Sequence, residues 1–172
     1  MCVSPSVHAQ NSWQIANDYT IAFDGTGAEG TFRGLTGTIQ FTPDHPADAY
    51  FNVSLDAETI DTGNSLKDKH ARDESWFHVM EYPEITYQSS RVEKDGKDFI
   101  LNGTLTLHGV SREIPIRFSF TQRGNKGVFR GEITVDRTNF DIMGPMFGFL
   151  VGDEFTVNLT VPVTRKPTSS DR

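Results

Sequence analysis

Apolar and polar residues alternate along most of this chain. From Gly34, the run GLTGTIQFTP puts Leu35, Ile39 and Phe41 on one parity and Thr38, Gln40 and Thr42 on the other. The next run, AYFNVSLD, sets Phe51, Val53 and Leu55 against Tyr50, Asn52 and Ser54. Successive side chains of a strand point to opposite faces, so these runs predict half-buried antiparallel strands. Shorter candidates, Trp13 to Asn17 and Tyr19 to Gly25, precede them and end in the turn-like GTGAEG. Glu84 to Lys94 and Asp98 to Leu107 flank Asp95-Gly96, a hairpin signal because both central positions of that turn need positive φ. His108-Gly109 predicts a further tight reversal. Ile114, Ile116, Phe118 and Phe120, then Phe129, Ile133 and Val135, then Phe155, Val157, Leu159, Val161 and Val163 continue the inward set. This spacing predicts an all-β domain of about seven or eight antiparallel strands, a closed barrel or a sandwich. Pro162 falls on solvent parity, where an edge or a strand terminus would tolerate it.

Asp61 to Tyr87 breaks the alternation. Asn64 or Ser65 can cap a helix, and Pro83 stops one, because the residue before a proline is pushed out of the helical region. A helix over about residues 64–80 would place Leu66, His70, Asp73, Phe77 and Met80 on one face. Such a stripe suits a lid across the open end of a barrel. Two inward positions, Gly103 and Gly131, lack side chains, which leaves room for a bend, a bulge or a ligand. Phe140 to Val151, FDIMGPMFGFLV, holds eight apolar residues where a connecting loop is normally polar. It either plugs the barrel or forms a methionine-rich rim around an apolar pocket.

The length of 172 residues suits one domain with a full core. The formal net charge of −7 and the scattered basic residues argue against a nucleic-acid partner. No run is long enough to cross a bilayer as a helix. Val7-His8-Ala9 has the small-residue pattern of a signal-peptidase site, so residues 1–9 read as the remnant of an export signal or as a disordered terminus. Residues 10–165 are expected to form the domain and 166–172 a disordered tail. Cys2 is the single cysteine, which excludes an internal disulfide.

The five histidines lie on separate elements without the spacing of a helical metal site, so no metal and no cofactor are expected. His70 and Asp73, three apart, have the makings of a proton-transfer pair or of an anchor between lid and rim. A serine nucleophile in an elbow and a phosphate-binding glycine loop are both missing from the sequence.

The block SLKDKHARDESWFHVMEYPEITY carries Asp68, His70, Asp73, Phe77, Tyr82 and Pro83, a D-x-H, then Phe, then Y-P-x-I pattern. LNGTLTLHGVSREIPI supplies Gly103, Leu105, Thr106, Gly109 and Val110, and VDRTNFDI with VGDEFTV supplies Arg137, Phe140, Gly152 and Asp153. In this order and spacing the chain resembles the YceI-like family of polyisoprenoid-binding, lipocalin-like bacterial proteins, over roughly Trp13 to Val163. It departs from the family's usual pattern in Tyr19-Thr20, where a His-Ser pair is common, and in Asp141, where glycine often follows the aromatic residue. The resemblance implies a closed antiparallel eight-stranded lipocalin-like β-barrel with a helical cover, holding a long isoprenoid or other acyl-like chain. The residue pattern alone reaches an apolar barrel with a lid; the isoprenoid comes from the resemblance.

The resulting expectation is a non-enzymatic carrier or store for an isoprenoid or quinone-like lipid, periplasmic or secreted, with a homodimer left open. The expected ligand-binding residues are Phe41, Phe51, His70, Phe77, Met80, Tyr87, Phe118, Phe140, Met143, Met146, Phe147 and Phe149. The alternatives are an enzyme using His70 and Asp73 on a hydrophobic substrate, and a ligand-free stress-related protein whose apolar loop docks a partner.

Overall fold

A computed structural model describes residues 9–144 and 150–168. Its strands are β1 (Ser12–Ile15), β2 (Thr20–Gly25), β3 (Ala28–Gln40), β4 (Tyr50–Asp61), β5 (Glu84–Asp95), β6 (Asp98–Leu107), β7 (Val110–Glu113), β8 (Ile116–Arg123), β9 (Lys126–Asp136) and β10 (Glu154–Arg165). All pair antiparallel, and the short turns of β2–β3, β5–β6 and β8–β9 require it. The order runs β10-β2-β3-β4-β5-β6-β8-β9, and β9 pairs back onto β10, so the sheet closes on itself in a ring of hydrogen bonds. This corrects the count drawn from the sequence. Ten strands form among the described residues; the ring takes eight, β7 folds back on β6, and β1 bridges β10 and β3 at one end.

Pro162 is tolerated for a reason other than an edge. The N–H and C=O of one strand residue point the same way, and Pro162 uses its carbonyl to accept from Ala16 N–H at 2.9 Å. It therefore faces the gap where β10 changes neighbour from β2 at Thr160 to β1 at Val163, and the missing donor costs the β9 side nothing.

The end of the ring near β1 is filled with aromatic side chains. Phe41, fully buried, packs its ring against Phe51, Phe99, Phe118, Phe120 and Phe129 at centroid separations of 5.0–6.0 Å. Most of these pairs are edge-to-face, the arrangement favoured by the ring quadrupole. Trp13 covers the cluster, with its ring 5.2 Å from Phe120 and its indole N–H donating to the Phe41 carbonyl at 2.9 Å.

At the opposite end, the chain leaves β4 into α1 (Ser65–Arg72). The Asn64 side chain caps it, accepting from Leu66 and Lys67 N–H at 3.1 and 3.0 Å. The helix is far shorter than expected. Asp73 is already extended, and the chain folds back so that Phe77 and Val79 N–H donate to the carbonyls of Ala71 and Arg72. The reversal continues through His78, whose φ is +47°. Pro83 thus acts on a chain that has ended its helix eleven residues earlier, and of Leu66, His70, Asp73, Phe77 and Met80 only Leu66 and His70 lie in the helix and share a face.

Candidate ligand-binding site

The ring encloses a cavity of about 430 Å³. Every ring strand contributes apolar side chains to its wall, among them Ile21 and Phe23 from β2, Phe32 and Leu35 from β3, Leu101 and Leu105 from β6, and Val157 and Leu159 from β10. On β4 the wall runs from Phe51 to Ile60, which at the usual strand rise is roughly 30 Å. One end is blocked by Phe51, Phe118 and Phe129, which belong to the aromatic cluster around Phe41. At the other, the lining residues that are solvent-exposed are Gly27 of the β2–β3 turn and Lys67 and His70 of α1, so the mouth lies between that turn and the helix.

One guanidinium organises the segment beside the mouth. Arg137 is buried, and it donates through Nη1 to the Ile142 carbonyl at 2.7 Å, through Nε to Gly152 at 3.0 Å and through Nη2 to Val151 at 3.1 Å. Nη2 also meets Asp153 Oδ1 at 2.9 Å. The Trp76 ring lies 5.3 Å from the Arg137 charge centre. Gly144, at φ +73°, lets the backbone approach that indole, since a Cβ there would sit 2.7 Å from it. Trp76, Arg137, Ile142 and Val151 all line the cavity, so the turn after α1 and the two ends of the apolar segment form one wall.

The cavity sorts the residues expected from the sequence. Phe51, His70, Phe77, Tyr87 and Phe118 line it, although Phe77 arrives on a turn and not on a helix. Phe41 does not line it, because strand parity points its ring inward at the height where the interior is filled. Phe140 is buried in the core outside the lining; its carbonyl lies 3.0 Å from His108 Nδ1. Met80, on the reversal before Pro83, is 92% exposed, and Met143 is 63% exposed; neither belongs to the lining. Met146, Phe147 and Phe149 lie outside the described residues. The apolar segment is split in role: Ile142 and Val151 face the cavity while Leu150 is 65% exposed. Sequence reading missed Ile60, Lys67, Trp76, Arg137 and Ile142 as wall residues. The two glycines also part company. Gly131 lines the cavity, whereas at Gly103 a Cβ would lie 2.6 Å from the Tyr87 ring, beside the register shift between Ser89 and Arg91.

The polar side chains near the mouth are mostly committed to the fold. Asp68 Oδ1 accepts from Thr62 N–H at 2.7 Å and Oγ1 at 2.6 Å, and these bonds hold its carboxyl below the ordinary value. Arg72 donates to the carbonyls of Glu58 and Ile60. His70 and Asp73 meet through the backbone, Asp73 N–H to the His70 carbonyl at 3.1 Å, and Asp73 is not in the lining. Among the described residues no three His, Cys, Asp or Glu side chains stand close enough to hold a metal ion.

Tyr87 anchors the wall by donating its hydroxyl to the carbonyls of Ile114 at 2.6 Å and Leu101 at 3.0 Å. Tyr87→Phe is expected to lower stability by about 1–2 kcal/mol in urea unfolding. Burial raises the phenol above its ordinary value. Its contribution is therefore complete below about pH 10 and lost as pH rises further, so the wild type should lose its advantage over the variant in alkaline solution.

The family model for the YceI-like domain matches residues 9–163. The chain belongs to the YceI-like family. Among curated YceI-like relatives, a UPF0312 protein of Pectobacterium atrosepticum is 30% identical over 125 residues, which are 67% of this chain and 65% of the relative. Protein YceI of Escherichia coli is 33% identical over 96 residues, 56% of this chain and 50% of the relative. The chain therefore matches between half and about two thirds of the length of these relatives. Among solved structures, Burkholderia cenocepacia BcnA superimposes with a TM-score of 0.83 at 19% identity, covering 88% of this chain and 100% of that one. A polyisoprenoid-binding domain from Saccharophagus degradans, implicated in plant cell wall breakdown, gives 0.65 at 14% identity, covering 92% and 100%. At these identities the likeness shows the fold.

Proposed function

We propose that this chain is a lipocalin-like barrel that carries or stores a long-chain amphiphilic lipid, isoprenoid or quinone-like, with the apolar tail in its lumen. One observation carries the reading: a cavity of about 430 Å³, walled by apolar side chains from every ring strand, with a mouth beside a short helix. Such a volume lies within the usual range of small-molecule pockets. A tail buried there gains about 0.8 kcal/mol for each CH₂ removed from water, so affinity needs few polar contacts. Membership of the YceI-like family and the likeness in fold to a polyisoprenoid-binding domain support the same reading. The bacterial envelope, where such lipids are made and used, is the proposed compartment.

The test is mass spectrometry of an organic extract of the native protein, purified without detergent, alongside a Leu159→Trp variant whose larger side chain occupies the lumen. The expected result is a stoichiometric lipid in the wild type and its loss from a variant that still unfolds cooperatively. An empty wild-type extract, together with no uptake of prenyl or acyl chains by the protein, would overturn the proposal and favour a protein that docks a partner through its apolar segment.

A further inference from the structure

The chain has 23 acidic and 16 basic residues, yet none of the described residues lining the cavity is acidic. The ionisable side chains that do line it, apart from the Tyr87 phenol committed to two carbonyls, are Lys67, His70 and Arg137. This inverts the charge balance of the whole molecule at one place. The three differ in what they have left to offer. Arg137 spends its donors on the carbonyls of Ile142, Val151 and Gly152 and on Asp153. Lys67 and His70 stand three apart on α1, the spacing that brings side chains together on one helix face, and both are exposed at the mouth. The carboxylate between them, Asp68, is turned to Thr62, so it does not neutralise them by direct contact.

We infer that Lys67 and His70 form an anion subsite, so that the ligand is a single-chain amphiphile with an acidic head group, a carboxylate or a phosphate. Lys67 supplies the charge and His70 a ring N–H donor. The inference rests on the reading that the cavity holds an apolar tail and narrows it to the chemistry of the head. Desolvated apolar walls immediately behind the pair strengthen it, because charge-assisted hydrogen bonds gain where water is partly excluded.

The experiment compares four probes on the delipidated full chain by calorimetry at fixed pH and low salt: palmitic acid against hexadecanol, and farnesyl phosphate against farnesol. Each acid is expected to bind about tenfold tighter than its alcohol, the scale of one charge-assisted hydrogen bond, with the advantage shrinking at high salt. The larger ratio of the two tells whether carboxylate or phosphate is the better fit. In a Lys67→Gln/His70→Gln double variant the ratio of acid to alcohol affinity should fall to about one, and cooperative urea unfolding shows that the variant is folded. Equal binding of acid and alcohol in the wild type overturns the subsite and leaves the lipid-binding reading intact. An acid preference that survives in the double variant overturns the assignment to these residues. Failure of all four probes to bind overturns the subsite and the lipid-binding reading together.

Discussion

Phe41→Ala is expected to lower the free energy of unfolding by about 4 kcal/mol. Phe41 has no solvent exposure and packs edge-on against four aromatic neighbours and tilted against Phe51. Those neighbours come from β4, β6, β8 and β9, held at fixed distances by ladder hydrogen bonds, so the ring cannot collapse inward to refill the space. The loss should therefore include both the transfer of a benzyl group and the cavity left behind. The hydrogen bond from Trp13 is no part of it, since that bond is to the Phe41 carbonyl and survives truncation. Urea unfolding with an unchanged denaturant dependence checks this; a loss below about 2 kcal/mol would mean that the aromatic end repacks.

Arg137→Met comes next, with an expected loss of about 3 kcal/mol and, more tellingly, a loss of ligand retention. Methionine keeps an apolar stem of similar length but offers no donors, so the carbonyls of Ile142, Val151 and Gly152 lose a partner they share. Because Ile142 and Val151 are wall residues, the damage should show as faster amide exchange around them and as lipid lost on washing. Arg137→Lys is expected to recover little, since one ammonium cannot span three divergent carbonyls and a carboxylate. If the lysine variant matched wild type in both exchange and retention, Arg137 would be acting only as a charge paired with Asp153.

How far the sequence led can be judged from individual side chains. Phe51, Tyr87 and Phe118 were legible because a period of two fixes which face a side chain takes, and one face of this closed sheet is the cavity. Parity says nothing of height along the ring. Phe41 obeys the same alternation as Phe51 and yet belongs to the filled end, because the difference lies in how many other large rings arrive at its level from distant strands. The helix was legible at its start, where Asn64 is a local cap, and misread at its finish. Its end depends on Phe77 and Val79 returning to its last carbonyls through a residue at positive φ, and apolar spacing carries no trace of that. Arg137 is one of ten arginines in the sequence, and its burial is not visible there. The sequence marked it only as part of the VDRTNFDI block; the physical signal for its role was its position just after a strand and before a long apolar segment, where the carbonyls of a buried loop need a donor.

For a lipid held as proposed, the aromatic plug also governs the order of events in exchange. With Phe51, Phe118 and Phe129 across one end, a chain admitted past Lys67 and His70 has to back out along the same path. Loading of such a lipid would then proceed tail first, with the hydrophobic terminus released by the donor before the head group settles. Affinity should climb with each added carbon until the terminus meets those three rings and then level off. The plug would make a lipid-carrying barrel of this kind a gauge of chain length, with its position along the strands setting the scale.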